Sequence, residues 1–95
     1  MRQFYQDYVY HMLRFYFSFS KEPTHFKRHT DKINYQACRQ VMKKKDKLET
    51  ELIKEATCFG VWIPTVAQLH GLDKNTVYGL INKTVRDIAR KRGLI

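Results

Sequence analysis

Along the first nineteen residues, Tyr5, Tyr8, Val9, Met12, Phe15, Tyr16 and Phe19 recur at helical spacing, while Asp7, Arg14 and Ser18 fall on the opposite side. That stripe predicts an aromatic-rich amphipathic helix over residues 3–19. Tyr10 and Phe17 lie off it, facing either another surface or solvent, and a short strand over FYFSF is the lesser alternative. Residues 20–30, SKEPTHFKRHT, lose the period, contain a proline and predict a basic connecting loop.

The period returns after Asp31, a candidate N-cap, with Ile33, Ala37, Cys38, Val41 and Met42 on one side and Arg39 and Lys43 on the other. Lys43, Lys44 and Lys45 end this helix or wrap its C-terminus, where cations suit the dipole. Asp46 and Glu49 then form a capping-box pair, opening a helix that points Leu48, Leu52, Ile53, Ala56 and Phe59 inward and stops at Gly60. A short helix follows, with Pro64 in its first turn, where a proline loses no helical hydrogen bond. The last periodic stretch begins near Lys74. It places Val77, Leu80, Ile81, Thr84, Val85 and Ile88 on one side, and Asn75, Tyr78, Gly79, Asn82, Lys83, Arg86 and Arg90 on the other.

No internal repeat and no convincing strand interrupts this pattern, so the expected fold is all-α. It is a small bundle of four to five helices ending in a helix-turn-helix. With 95 residues the chain suits one domain, in which residues 1–30 form the aromatic helix and basic loop and residues 31–95 the helix-turn-helix unit.

Charge changes the picture from fold to partner. Eighteen Lys and Arg stand against nine Asp and Glu, a net of +9, which points to a polyanion. Nucleic acid is the first candidate and an anionic membrane surface the second. The apolar-rich run from Phe4 to Phe19 holds Asp7, His11 and Arg14, too short and too charged a stretch to span a bilayer. It lacks the small-residue cleavage pattern of a signal peptide, so a cytoplasmic protein with no membrane partner is expected.

A helix-turn-helix needs a small residue where its helices cross, a glycine at the turn and apolar residues locking the second helix to the first. Ala67, Gly71, Leu72, Val77 and Leu80 meet those needs at the customary spacings. The outer face of the second helix then supplies reading chemistry. Asn75 and Asn82 can pair with an adenine edge and Lys83 with guanine or phosphate, with Tyr78 beside them, while Gly79 allows close approach to a groove wall. Lys43, Lys44, Lys45, Lys74, Thr76, Arg86 and Arg90 are the candidate phosphate contacts.

From Asn34 to Arg92 the chain resembles the sigma-factor region 4 type of helix-turn-helix, of the small kind carried by mobile elements or phages of low-GC Gram-positive bacteria. The resemblance rests on Ala37 and Val41, the charged helix KLETELIKE, then Gly60, Val61, Val66, Ala67, Gly71, Leu72, Thr76 and Val77 at the family's spacing. His70 stands where the family usually has leucine, and Trp62 where a small hydroxyl residue would cap the first helix. The resemblance implies that the helix from Lys74 enters a promoter major groove and that preceding helices contact RNA polymerase. Nothing corresponding to the other promoter-reading regions of a complete sigma factor is present.

Other chemistry finds little footing. His25 and His29 form an HxxxH that could join Cys38 and Cys58 around zinc, but the cysteines lack paired spacing, so no metal or other cofactor is expected. No nucleophile sits beside a base in a known motif and no glycine-rich phosphate loop occurs, so no enzyme is expected; His70 is read as structural. The expected function is a DNA-binding transcription regulator. Its alternative is a protein-interaction module that uses the aromatic and basic surfaces to bind RNA polymerase, a host protein or a second copy. RNA binding by the basic loop and the Lys43–Lys47 run is a third reading, without an RNP-like or GxxG signature behind it.

Overall fold

The computed structural model describes residues 5–95, which form five helices: α1 (Gln6–Phe17), α2 (His29–Met42), α3 (Lys47–Thr57), α4 (Ile63–Leu69) and α5 (Lys74–Arg92). The start of the expected first helix, residues 3 and 4, lies outside the described residues. Among the described residues no strand occurs, so FYFSF is helix and turn.

One apolar cluster draws on all five helices: Val9, Met12 and Leu13 from α1, Cys38 and Val41 from α2, Leu52 and Ile53 from α3, Val66 and Ala67 from α4, and Val77, Ile81 and Ile88 from α5. α1 lies against α2, α3 and α5, so its buried arc is wider than the expected stripe. Leu13 is fully buried although the stripe omits it, while Tyr10 and Phe17 pack against the cluster rather than facing water. Tyr8, expected inside, is exposed at the edge, where its hydroxyl accepts a hydrogen bond from the Asn34 amide at 3.0 Å. The remaining aromatic groups of α1 gather at its C-terminal end. There Phe19 meets Phe26 and Tyr35 edge-on, and the segment 18–28 is pinned to α2.

Local chemistry sets the helix ends. α2 begins three residues earlier than expected, with Arg28 at the N-cap, so Asp31 is not the cap; it sits in the first turn and takes the Arg28 guanidinium on both oxygens at 3.2 and 3.3 Å. At α3 the capping box forms as expected: the Glu49 N–H donates to Asp46 Oδ1 at 2.8 Å and the Asp46 N–H to Glu49 Oε1 at 3.1 Å. Leu48 and Phe59 bracket this helix and are exposed, contrary to expectation. Leu48 is the second residue of α3 and Phe59 lies beyond its last turn, so neither falls on the turns that meet the bundle. Pro64 occupies the first turn of α4 as expected, and Trp62 at its N-cap supplies no side-chain cap.

Asn34 is the buried polar group the apolar pattern hides. Its amide nitrogen donates to Tyr8 and its oxygen accepts from Arg92 Nε, tying α1, α2 and the end of α5 together. Satisfied on both sides, it avoids the cost of an orphaned buried amide. Among the described residues no buried side-chain nitrogen or oxygen lacks a partner.

Candidate nucleic-acid interface

The α4–α5 corner is built by a glycine in a left-handed conformation. Gly71 has φ +67°, and around it the Leu72 N–H donates to the Ala67 carbonyl at 2.8 Å and the Gly71 N–H to the Gln68 carbonyl at 3.2 Å, a Schellman closure that reverses the chain. A side chain at this φ would be strained, which accounts for glycine here. Asp73 then caps α5, its carboxylate accepting from the Asn75 N–H at 3.2 Å. Buried Ala67 lets the helices cross closely, and Val77 fixes α5 against the core. The His70 ring, half-buried, has Nε2 at 2.9 and 3.1 Å from the two Glu55 carboxylate oxygens and thereby joins the end of α4 to α3.

With that corner set, α5 buries Val77, Ile81, Thr84, Val85, Ile88 and Ala89 and turns its other side outward. Asn75, Gly79, Asn82, Lys83 and Arg86 are exposed, while Tyr78 is half-buried at the edge of the stripe. Gly79 has no packing reason to be glycine: a Cβ built there meets nothing within 4 Å.

The phosphate candidates divide into two groups. Lys74 and Thr76 are exposed at the start of α5, while Arg90 lies about 24 Å further along at 1.5 Å per residue, one turn past Arg86. Lys44 and Lys45, at the end of α2, join the second group. With Lys83, Asp87, Arg90 and Lys91 they line a groove of about 580 Å³ between α2 and α5. Lys43 points elsewhere and lines a separate hollow with Gln36, Arg39 and Gln40. Lys83 Nζ donates to Asp87 Oδ2 at 2.9 Å, so its ammonium is held toward the groove in the free chain. Asp87 and Lys91 escaped the sequence reading as site residues; the four-residue step from Lys83 to Asp87 was a legible helix pair, but the nearness of α2 was not.

The tetrahedral set considered for zinc does not come together. His25 and His29 line a hollow of about 430 Å³ between the 18–28 segment and α2, whereas Cys38 is in the core, where burial pushes its thiol up to about 12. Among the described residues no three His, Cys, Asp or Glu side chains gather as metal ligands would. No helix among them is long and apolar enough to cross a membrane.

Phe59 and Trp62, in the connection between α3 and α4, and Leu69, at the end of α4, are 67%, 71% and 69% exposed.

Compared with protein-family models, curated proteins and solved structures, the chain finds no match.

Proposed function

We propose that this chain is a DNA-binding transcription regulator, not an enzyme, that reads duplex DNA by setting the outer face of α5, from near Lys74 onward, in the major groove. The observation that carries the reading is the exposed stripe Asn75, Gly79, Asn82 and Arg86 projecting from a helix-turn-helix corner. A helix with its side chains is about as wide as the major groove, so a stripe of amides and cations meets base edges when the helix lies there. The resemblance to sigma-factor region 4 belongs to the same proposal, with RNA polymerase as a second partner and the host cytoplasm as the setting.

Selection of bound sequences from random duplex DNA tests it and is expected to enrich a motif; a palindrome with half-sites one turn apart would add a two-fold dimer. On the enriched site, Asn82→Ala is expected to cost about 1–3 kcal/mol of binding and to blur preference at one base pair, because one bidentate pairing is lost. Melting should hardly change, since Asn82 is exposed. The base-reading proposal fails if Asn82→Ala and Asn75→Ala proteins, still folded, keep full affinity and full preference.

Gly79→Ala separates stability from binding. In the free protein the substitution removes a helix penalty of about 1 kcal/mol with no clash to offset it, so melting should rise. If the backbone at Gly79 approaches a groove wall, affinity for the selected site should fall at the same time. A more stable protein with unchanged affinity would show that no close approach occurs there.

A second reading, a protein-interaction module, is favoured by the exposed large apolar side chains Phe59, Trp62 and Leu69, none of which belongs to the expected α1 face. Sedimentation with purified RNA polymerase in the absence of DNA decides it; no co-sedimentation removes polymerase as the partner.

A further inference from the structure

The groove between the end of α2 and the C-terminal half of α5 holds five cations and one carboxylate. Lys44 and Lys45 come from one helix end and Lys83, Arg90 and Lys91 from the other helix, with Asp87 among them. Asp87 is two-thirds covered. Its Oδ2 takes Lys83 Nζ at 2.9 Å, and its Oδ1 faces the Arg90 guanidinium at 3.9 Å. The Lys83 hydrogen bond, with the charges of Lys83, Lys45 and Arg90, holds its carboxyl below the usual range, so it is ionised at neutral pH. Lys83 and Arg90 themselves are about two-thirds exposed, so another anion can reach them.

The place of this groove matters as much as its charge. Lys83 and Arg90 belong both to the outer face of α5 and to the groove wall, so the groove continues the face that reads bases under the proposed function. A helix lying in the major groove has a phosphate backbone on each flank, since helix and groove widths are nearly equal. The residues after α2, Lys44 and Lys45, form the opposite wall of the groove beside that face.

We infer that this groove seats consecutive backbone phosphates of duplex DNA, and that Asp87 occupies the seat in the free protein as a built-in competitor which binding displaces. Lys83 and Arg90 exchange the carboxylate for phosphate oxygens, while Lys44 and Lys45 close over the strand from the α2 side and Lys91 from α5. Asp87 thus sets affinity without touching sequence preference, because phosphates carry no base information. The inference rests on the proposed duplex-DNA reading, but on a different set of residues.

Removing the competitor gives a test whose sign is unusual for a binding-site substitution. Asp87→Asn in the full chain is expected to raise affinity for every duplex about tenfold at low salt, because a negative charge leaves the path of the phosphates. Its plot of log affinity against log salt should be steeper by about 0.9, one additional released counterion. Lys45→Gln and Lys91→Gln should weaken binding to all duplexes and flatten that slope by about the same amount. Inorganic tripolyphosphate, titrated into the wild-type chain and followed by NMR, should shift Lys44, Lys45, Asp87 and Lys91 resonances together.

Unchanged or lower duplex affinity for folded Asp87→Asn, or Lys45→Gln and Lys91→Gln proteins that bind duplex DNA like wild type, would overturn the inference even if Asn82→Ala behaves as the base-reading proposal requires. Groove variants that alter binding to duplex RNA but not to duplex DNA would overturn it too. Conversely, if Asn82→Ala has no effect while Asp87→Asn strengthens binding at every sequence, the phosphate seat stands and the base-reading proposal falls.

Discussion

Removing residues 1–19 is expected to abolish folding: the truncated chain should lose most of its helical circular dichroism and melt without a cooperative transition. α1 contributes Val9, Met12 and Leu13, all essentially inaccessible to solvent, and lays Tyr10, Tyr16 and Phe17 over the rest of the cluster. Each fully buried aliphatic side chain of this size contributes about 1.5–3 kcal/mol. Three of them alone approach the roughly 5–15 kcal/mol by which a whole domain is stable. The loss is larger than that, because α1 also covers faces of α2, α3 and α5 and two of its polar contacts serve other helices. Tyr8 accepts from Asn34, and Arg14 donates to the Thr57 carbonyl at 3.2 Å, next to the end of α3. The graded version is Leu13→Ala, which should cost about 2–5 kcal/mol of unfolding free energy while the protein still folds at low temperature. A truncated protein with unchanged helical content and cooperative melting would return α1 to the role of a partner surface.

What the sequence made legible follows from how far each interaction reaches along the chain. The Asp46–Glu49 box and Pro64 in the first turn of α4 are local, fixed by residues within a turn of one another, and both were readable. The apolar stripe of α5 was readable too, because a long helix against a core repeats its period over nineteen residues and leaves little choice of face. α1 was read less well. A helix touching three others buries an arc wider than one stripe, so Leu13 and Phe17 turn inward while Tyr8 moves to the rim. Asp31 had the right chemistry for a cap, but it lies within the first turn of α2, paired with Arg28.

The site divides in the same way. The outer face of α5 needed only the helical period, whereas the phosphate groove needed the end of α2 to lie beside Asp87, some forty residues away in the chain. Asn34 joins partners 26 and 58 residues distant, and no periodicity announces such a link. Trp62 and Phe59 carry apolar side chains at positions that the bundle happens not to cover. That is a fact of packing rather than of pattern.

The largest effect expected on binding is that of salt. Residues 21–47 carry nine cations against three carboxylates and residues 61–95 six against two, whereas residues 48–60, most of them in α3, carry three carboxylates against one cation. The field is therefore uneven: positive at the end of α2 and along α5, negative at α3, so a phosphate backbone is drawn to the α2–α5 side. Lys43, Lys44, Lys74, Arg86 and Arg90 are exposed and Lys45 is half-buried, so salt screens them readily. With about six phosphates neutralised, raising salt from 50 to 200 mM should lower affinity for duplex DNA roughly a thousandfold, at a slope of about −0.9 per phosphate. Lys44→Ala or Arg90→Ala should weaken binding to all sequences alike and flatten that slope by about one contact, whereas Asn82→Ala should leave the slope unchanged while blurring preference. The measurement is a titration of labelled duplex at four or five salt concentrations for each protein. Affinity that stays constant between low and physiological salt would remove the phosphate contacts from the account, and with them the reason for so basic a surface at the end of α2 and along α5.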